Sequence, residues 1–326
     1  EIVKGAVHAQ QELGAEIVLV GQRAAIETCL RNEQAELEII DASEVITMDD
    51  DPSTATRRKK DASMTVALNL LRDGKGDAVV SAGSTGALLT GATLIVKRIH
   101  GIRRAALAPV LPNGDAGVML IDCGANADCT PEYLLQFAYM GSYYARTMLG
   151  IAAPRVGLLS NGTEDHKGAQ LQHETFPLLK AADAAGRIRF IGNVEASQVF
   201  NGDVDVVVTD GFTGNVLLKG IEGSIKYMTR QLKGIFMKNF KTKIAALAIK
   251  DEFKALKASL DPNEVGGTAM LGISKPVIKA HGSSDARAIY NAIRQAISFV
   301  DSGIIDDITA NISYMRVDKH AAKELD

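Results

Sequence analysis

Apolar and polar positions along this chain fall into two kinds of block. Short β-branched runs stop abruptly, and longer stretches carry apolar residues three or four apart. The clearest junction between the two is Asp203–Gly220. Val204, Val206, Val207 and Val208 make a run of the kind that buried strands use. The run ends at Thr209-Asp210-Gly211-Phe212-Thr213-Gly214-Asn215, and Val216-Leu217-Leu218 then resumes the apolar pattern. This predicts strand, glycine-punctuated turn and helix start. Asp77–Leu89 repeats the design: V-V-S-A-G-S-T-G-A matches V-V-T-D-G-F-T-G-N at both glycines and the threonine. Glycines let backbone N–H groups come close to a ligand, and a helix N-terminus attracts anions. Two turns of one design suggest two walls of one phosphate-binding cleft. The plainer reading is two ordinary strand-to-helix turns.

The same reading extends along the chain. It predicts a helix over 1–13, a strand Ala15–Gly21, a helix Gln22–Arg31 and a strand Leu37–Ala42. Asp49-Asp50-Asp51-Pro52 breaks the pattern, and a helix follows to about Arg72. The helix after the first glycine turn runs to Arg98. Ala105–Val110 and Gly117–Ile121 read as strands. Thr130 is a good N-cap and Pro131 a good first residue for a helix reaching Gly150. Arg155–Ser160, Arg187–Asn193 and Val277–Ala280 are further strands, and Ser283 or Ser284 can cap a helix Ala286–Val300. Alternation throughout predicts a single α/β unit over 1–326. Its sheet should be layered and largely parallel, flanked by helices.

Residues 223–262 depart from this pattern. Gly223–Lys250 holds seven Lys or Arg and no Asp or Glu, with Ile225, Met228, Leu232, Phe236 and Leu247 at helical spacing. A second amphipathic piece, Glu252–Leu260, precedes Pro262. Together they predict a protruding, basic amphipathic helical hairpin. It can lie in a membrane interface, or pack on the core or on a second subunit. Arg57-Arg58-Lys59-Lys60 is either a solvated face or a patch for an acidic partner.

Composition narrows the chemistry. A net charge of −3 over 326 residues argues against a nucleic-acid partner. No apolar run reaches the length of about 18 residues that a membrane span needs. The three cysteines, Cys29, Cys123 and Cys129, have no metal-like spacing and read as reduced thiols of a cytoplasmic protein. No P-loop, G-x-G-x-x-G, G-x-S-x-G or H-E-x-x-H is present, so neither metal nor cofactor is expected. What remains is polar loops after strands: Ser81–Gly86, Asp122–Asp128, Asn161–Gly168, Asp210–Asn215 and His281–Asp285, with Lys167 as a well-placed cation. That inventory suits holding a phosphate and an oxyanion without covalent catalysis.

From about Val3 to His320 the chain resembles the acyl-ACP–phosphate acyltransferases of bacterial phospholipid synthesis (PlsX). The resemblance is carried by R-R-K-K-D-A-S-M (57–64), S-A-G-S-T-G-A-L (81–88), A-P-V-L-P (108–112), D-C-G-A-N-A-D (122–128) and Q-F-A-Y-M-G (136–141). It continues through G-L-L-S-N-G-T-E-D-H-K-G (157–168), F-I-G-N-V-E-A (190–196), T-D-G-F-T-G-N-V (209–216) and K-A-H-G-S-S-D (279–285). It implies a fold like isocitrate dehydrogenase and phosphate acetyltransferase, a homodimer, and transfer of a long-chain acyl group from acyl carrier protein to inorganic phosphate. A membrane glycerol-3-phosphate acyltransferase would use the product. Family members begin with a strand and a D-A-M-G-G-D loop ahead of the point where this sequence starts, so one wall of the site is expected from there. On this basis Lys167, Asn215 and His281 are the expected catalytic residues. Ser84, Thr85, Gly86, Asn126, Asn161, Asp210, Thr213 and Gly214 are expected around phosphate. Arg57, Lys59, Lys243, Leu247 and Lys250 are expected to touch the carrier or the membrane surface, which makes the protein peripherally membrane-associated. The rivals are a short-chain enzyme using acyl-CoA, a non-catalytic membrane scaffold, and a hydroxyacid dehydrogenase of related fold.

Overall fold

Short β-branched runs give short strands, and the glycine-bearing turns between them give way at once to helices. The computed structural model describes residues 1–113, 116–253 and 266–317. In chain order these hold α1 (Ile2–Leu13), β1 (Val18–Gly21), α2 (Arg23–Glu33), β2 (Glu38–Asp41), α3 (Ala55–Arg58), α4 (Ser63–Arg72) and β3 (Val79–Ser81). There follow α5 (Thr85–Gly91), β4 (Ala106–Ala108), β5 (Val110–Leu111), β6 (Val118–Ile121), α6 (Pro131–Met148), β7 (Arg155–Leu159), α7 (Gln170–Ala184) and β8 (Arg189–Val194). The remainder is β9 (Val206–Val208), α8 (Gly211–Phe236), α9 (Phe240–Ala248), β10 (Thr268–Leu271), β11 (Val277–Lys279), α10 (Ala286–Asp301) and α11 (Ile304–Ala310).

The strands form a parallel pair β1-β2, a four-stranded sheet β3-β11-β10-β4 and a five-stranded sheet β5-β6-β9-β7-β8. The expected strand Ala105–Val110 is divided at Pro109, which has no N–H to give a neighbour. Its two halves still line β6: Leu120 N–H donates to Pro109 O and Cys123 N–H to Leu107 O. The two larger sheets therefore meet edge to edge. The register runs β3 and β11 parallel to each other, and β6, β9, β7 and β8 likewise. Antiparallel pairs β11-β10, β10-β4 and β5-β6 lie between, so the two parallel blocks run in opposite senses.

One face of this layer is continuous. Ala106, Val110, Ile121, Val206 and Ile278 share a core with Phe137, Met140 and Tyr144 of α6 and with Ile289 and Phe299 of α10. On the other face the core is split. Met64, Leu68, Leu88, Leu107 and Val277 cluster with α4 and α5, while Leu111, Leu120 and Val207 cluster with Leu217, Leu218 and Ile221 of α8.

Four local expectations change. α8 begins at Gly211, not after Asn215, and runs unbroken through the predicted start at 223. The basic segment is two helices, because Asn239 and Thr242 form a capping box that opens α9. Phe236 meets Phe253 edge-on at 5.8 Å, so the chain folds back there; residues 254–262 of the predicted hairpin lie outside the described residues. Asp285, and neither serine, caps α10: its carboxylate accepts from Ala288 N at 2.9 Å, while Ser283 Oγ is held by His281 Nδ1 at 2.8 Å. Lastly, α5 passes into a π-helical stretch that ends at Val96, with Lys97 at φ 77.

Candidate active site

The loops after β6 and β9 are locked together around Asp122, whose side chain has no exposed surface. Its carboxylate accepts from Leu107 N, Ala125 N, Asn126 N and Asn126 Nδ2, at 2.7–3.2 Å. Burial pushes the carboxyl pKa up, and those donors oppose the shift. Asp122 N–H donates to Thr209 O, and Gly211 N–H donates to Asn126 O at 2.7 Å. A Cβ on Gly211 would stand 2.6 Å from Asn126 O, and one on Gly214 would collide with Asp122 O. The glycines of this turn therefore serve close packing of α8 on the loop after β6, rather than approach of a ligand.

Asp210 caps α8, with Oδ1 accepting from Thr213 N and Oδ2 from Thr213 Oγ1. Both donors of Thr213 are thus occupied, and the helix end already carries a carboxylate. Asn126 is turned inward as well, its amide shared between Ala105 O and Asp122. Asn215 is exposed on the first turns of α8, beside Gly124, whose φ of 99° suits glycine.

The loops after β3 and β11 form a second group. Ala280 N–H donates to Ser81 O at 2.9 Å, and Gly282 sits against Ala82 O. Ser84 caps α5 through a long 3.5 Å bond from Ala87 N, and this cap is neutral. Thr85 and Gly86 are half-buried in its first turn, Gly86 against Pro52. His281 is exposed, its ring held by Ser283. Lys279, missing from the sequence-based expectation, is buried at the end of β11. The signal was there: a lysine inside the apolar run V-I-K-A. Ala125 of the first group packs on the cluster of α4 and α5, which also holds Ala105 and Leu107. Because β3 and β11 run opposite to β6 and β9, the two glycine turns leave opposite edges of the layer and are not the two walls of one cleft that the sequence suggests.

The third contribution follows β7. Lys167 is half-buried, and its aliphatic stem lies across Gly162. Gly168, at φ 111°, turns the chain against Gln172 and Ser160. Asn161 is exposed at the start of this loop. Ser160 Oγ and Thr209 Oγ1 are buried hydroxyls without a partner among the described residues, at the ends of neighbouring strands. Of the expected contact residues, Lys59 pairs with Asp50 at 2.7 Å and donates to Val45 O, whereas Arg57, Lys243, Leu247 and Lys250 are exposed. A concavity of about 310 Å³ lined by Gly117, Arg155, Arg189 and Asp205 lies at the opposite, N-terminal ends of β6–β8.

This arrangement offers cations, amide donors and hydroxyls, and no activated nucleophile. Burial pushes the Cys123 thiol well up and that of Cys129 to about 12, so neither is a ready thiolate. Among the described residues no three of His, Cys, Asp or Glu gather as metal ligands. Such a site binds and orients anions.

Comparison with known proteins follows the same line. A phosphotransacetylase from Streptococcus pyogenes superimposes with a TM-score of 0.61 at 18% identity, covering 92% of this chain and 90% of that one. The EutD phosphotransacetylase from Staphylococcus aureus gives 0.59 at 17%, covering 93% and 90%. At such identities the likeness speaks for the fold. Phosphate acyltransferase from Oceanobacillus iheyensis is 48% identical over 313 residues, 96% of this chain and 93% of its own length. The Clostridioides difficile phosphate acyltransferase is 45% identical over 315 residues, 95% and 92%. With residues 1–307 also matched by the family model described as "Fatty acid synthesis protein", the chain belongs to that family of phosphate acyltransferases, the enzymes of fatty acid and phospholipid synthesis.

Proposed function

We propose that the chain transfers a long-chain acyl group from acyl carrier protein to inorganic phosphate. The observation that carries this reading is the set of hydroxyls, amide donors and the half-buried Lys167 in the loops that leave one edge of the layer after β6, β9 and β7 and hold no activated nucleophile. Phosphate is itself the nucleophile. An oxygen of hydrogenphosphate forms a bond to the thioester carbon, the C–S bond breaks, and the phosphate proton ends on sulfur. The protein's part is to orient both reactants and stabilise the oxyanion that develops.

Asp210 already occupies the α8 end, which disfavours a second anion there. The turn with Ser84, Thr85 and Gly86 and the loop with His281 leave the opposite edge of the layer, so phosphate is assigned to the loops after β6, β9 and β7. Lys167 neutralises charge, Asn215 faces the acyl oxygen, and Asn161 completes the polar surround. The enzyme acts as a homodimer on the cytoplasmic membrane surface. There the carrier docks on exposed cations, and a membrane acyltransferase takes the acyl-phosphate to glycerol-3-phosphate.

The test is turnover with palmitoyl carrier protein, palmitoyl-CoA and acetyl-CoA, each with and without phosphate, trapping acyl-phosphate with hydroxylamine. Palmitoyl carrier protein should be the preferred donor, and release should require phosphate. In the same assay Lys167→Ala should fall by about 100-fold or more, the scale of losing one oxyanion-stabilising group. Preference for acetyl-CoA, or release without phosphate, would sink the reading.

A further inference from the structure

The block F-I-G-N-V-E-A (190–196) supplies most of β8 and carries an irregularity. β8 pairs with β7 in parallel, Phe190 beside Val156 and Asn193 beside Leu158. Ile191 and Gly192 therefore share the single place opposite Gly157, a β-bulge, with Gly192 at φ 96°. In an unbroken strand Phe190 and Asn193 would point to opposite faces. The extra residue turns Asn193 back to the face of Phe190 and Leu158, where α7 packs, and leaves Val194 to the core under α8.

There Asn193, only 5% exposed, donates from Nδ2 to Glu164 O at 2.8 Å. Glu164 O also accepts from Lys167 N at 2.9 Å, the bond that closes the turn Glu164–Lys167. One buried amide thus clamps the turn from which Lys167 leaves, and the Lys167 stem lies back across Gly162. Among the described residues the other side-chain ties to this turn come from α7 and are exposed: His173 Nε2 to His166 O at 2.9 Å, and Lys180 to Asp165 at 3.4 Å. Both compete with water more freely than the amide of Asn193 does. Asn193 Oδ1 is buried with no partner among the described residues. A buried orphan acceptor is costly, and a leucine would fill the same space without it. The side chain therefore serves the turn rather than the core. We propose that Asn193 is a positioning residue for the acyl transfer: through Glu164 O, and aimed by the bulge at Gly192, it fixes the turn that presents Lys167 to the reacting groups. This rests on the reading of Lys167 as the cation that neutralises charge there. Misplacing a group by about 1 Å can cost about 100-fold in rate, so one hydrogen bond at the base of the turn is enough to matter.

Asn193→Leu keeps the volume and removes both the tie and the orphan acceptor. Tm should stay within about 4 °C of the wild type. Turnover of palmitoyl carrier protein with phosphate should fall by about tenfold or more. In the Lys167→Ala background, assayed at raised enzyme concentration, the same substitution should lower the remaining turnover by less than about twofold, because its effect passes through Lys167. A purely structural residue would cost as much in both backgrounds. Asn193→Ala, run in the same cycle, should give the same pattern and decides the matter should the leucine variant not fold. Loss of the fold in both variants overturns the proposal. So does turnover of Asn193→Leu within about twofold of the wild type, and so does a loss that multiplies in full with that of Lys167→Ala. Near-normal turnover of Lys167→Ala alone would reject the role of Lys167 itself, and it is read before Asn193 is changed.

Discussion

Asp122 shows how one side chain fixes a loop. Four N–H groups converge on a carboxylate with no exposed surface, and α8 docks against the same turn. Asp122→Asn replaces an acceptor oxygen with an NH2 that faces donors. It should cost about 1–3 kcal/mol, the price of a buried unsatisfied group. Thermal unfolding should report this as a Tm several degrees lower; an unchanged Tm would mean that the donors find other acceptors. At this scale the sequence was partly legible. Asn126 and the glycines of 209–215 stood out by type, yet their purpose did not. Asn126 binds Asp122 and Ala105 O, and Gly211 and Gly214 make room for a neighbouring backbone. Lys279 stood in the block K-A-H-G-S-S-D, yet its burial comes from the strands on either side of β11, which the local pattern does not carry. Lys59 misled for the opposite reason: a run of four cations reads as one patch, but Asp50 claims this member.

α8 carries its own controls for the role of glycine within an element. Gly211 and Gly214 face the loop after β6, whereas Gly220, Gly223 and Gly234 have open space where a Cβ would stand. Alanine is normally better than glycine inside a helix by about 1 kcal/mol. Gly220→Ala and Gly223→Ala should therefore stabilise slightly or be neutral. Gly214→Ala should destabilise by about 1–3 kcal/mol or more, since Asp122 O cannot move without the β6–β9 ladder. Denaturant midpoints on the three variants decide it, and equal effects at 214 and 220 would refute the packing role. Element types were largely legible, because β-branched runs and helical spacing are local signals. The bounds that moved did so for non-local reasons. Helix α8 starts early because Asp210 caps it, and β4–β5 divides because Pro109 has no N–H to share. The opposite senses of the two parallel blocks depend on pairing across the chain, which periodicity does not carry.

Among the described residues, one long apolar surface stands exposed. Tyr227, Met228 and Ile235 of α8, with Phe240 (78% exposed), Ile244 and Leu247 (71%) of α9, stand among the lysines of 226–250. Among the described residues no helix is long and apolar enough to cross a membrane. Such a surface is stable in water only if something lies on it. Cations beside exposed Phe and Leu fit an interface rich in anionic lipid, each lysine adding about 1 kcal/mol near such a surface. A second copy of the chain offers no such charge match, since it presents the same cations. The outer part of this stripe, around Leu247, is therefore expected to meet lipid. Leu247→Glu should reduce recovery of the protein with anionic vesicles in flotation, while its mass by light scattering stays that of the wild type. Turnover of carrier-bound palmitate without vesicles should remain within about twofold, because α9 packs on α8 and is remote in sequence from the loops to which phosphate is assigned. A fall in mass with unchanged flotation would reassign Leu247 to the contact between subunits.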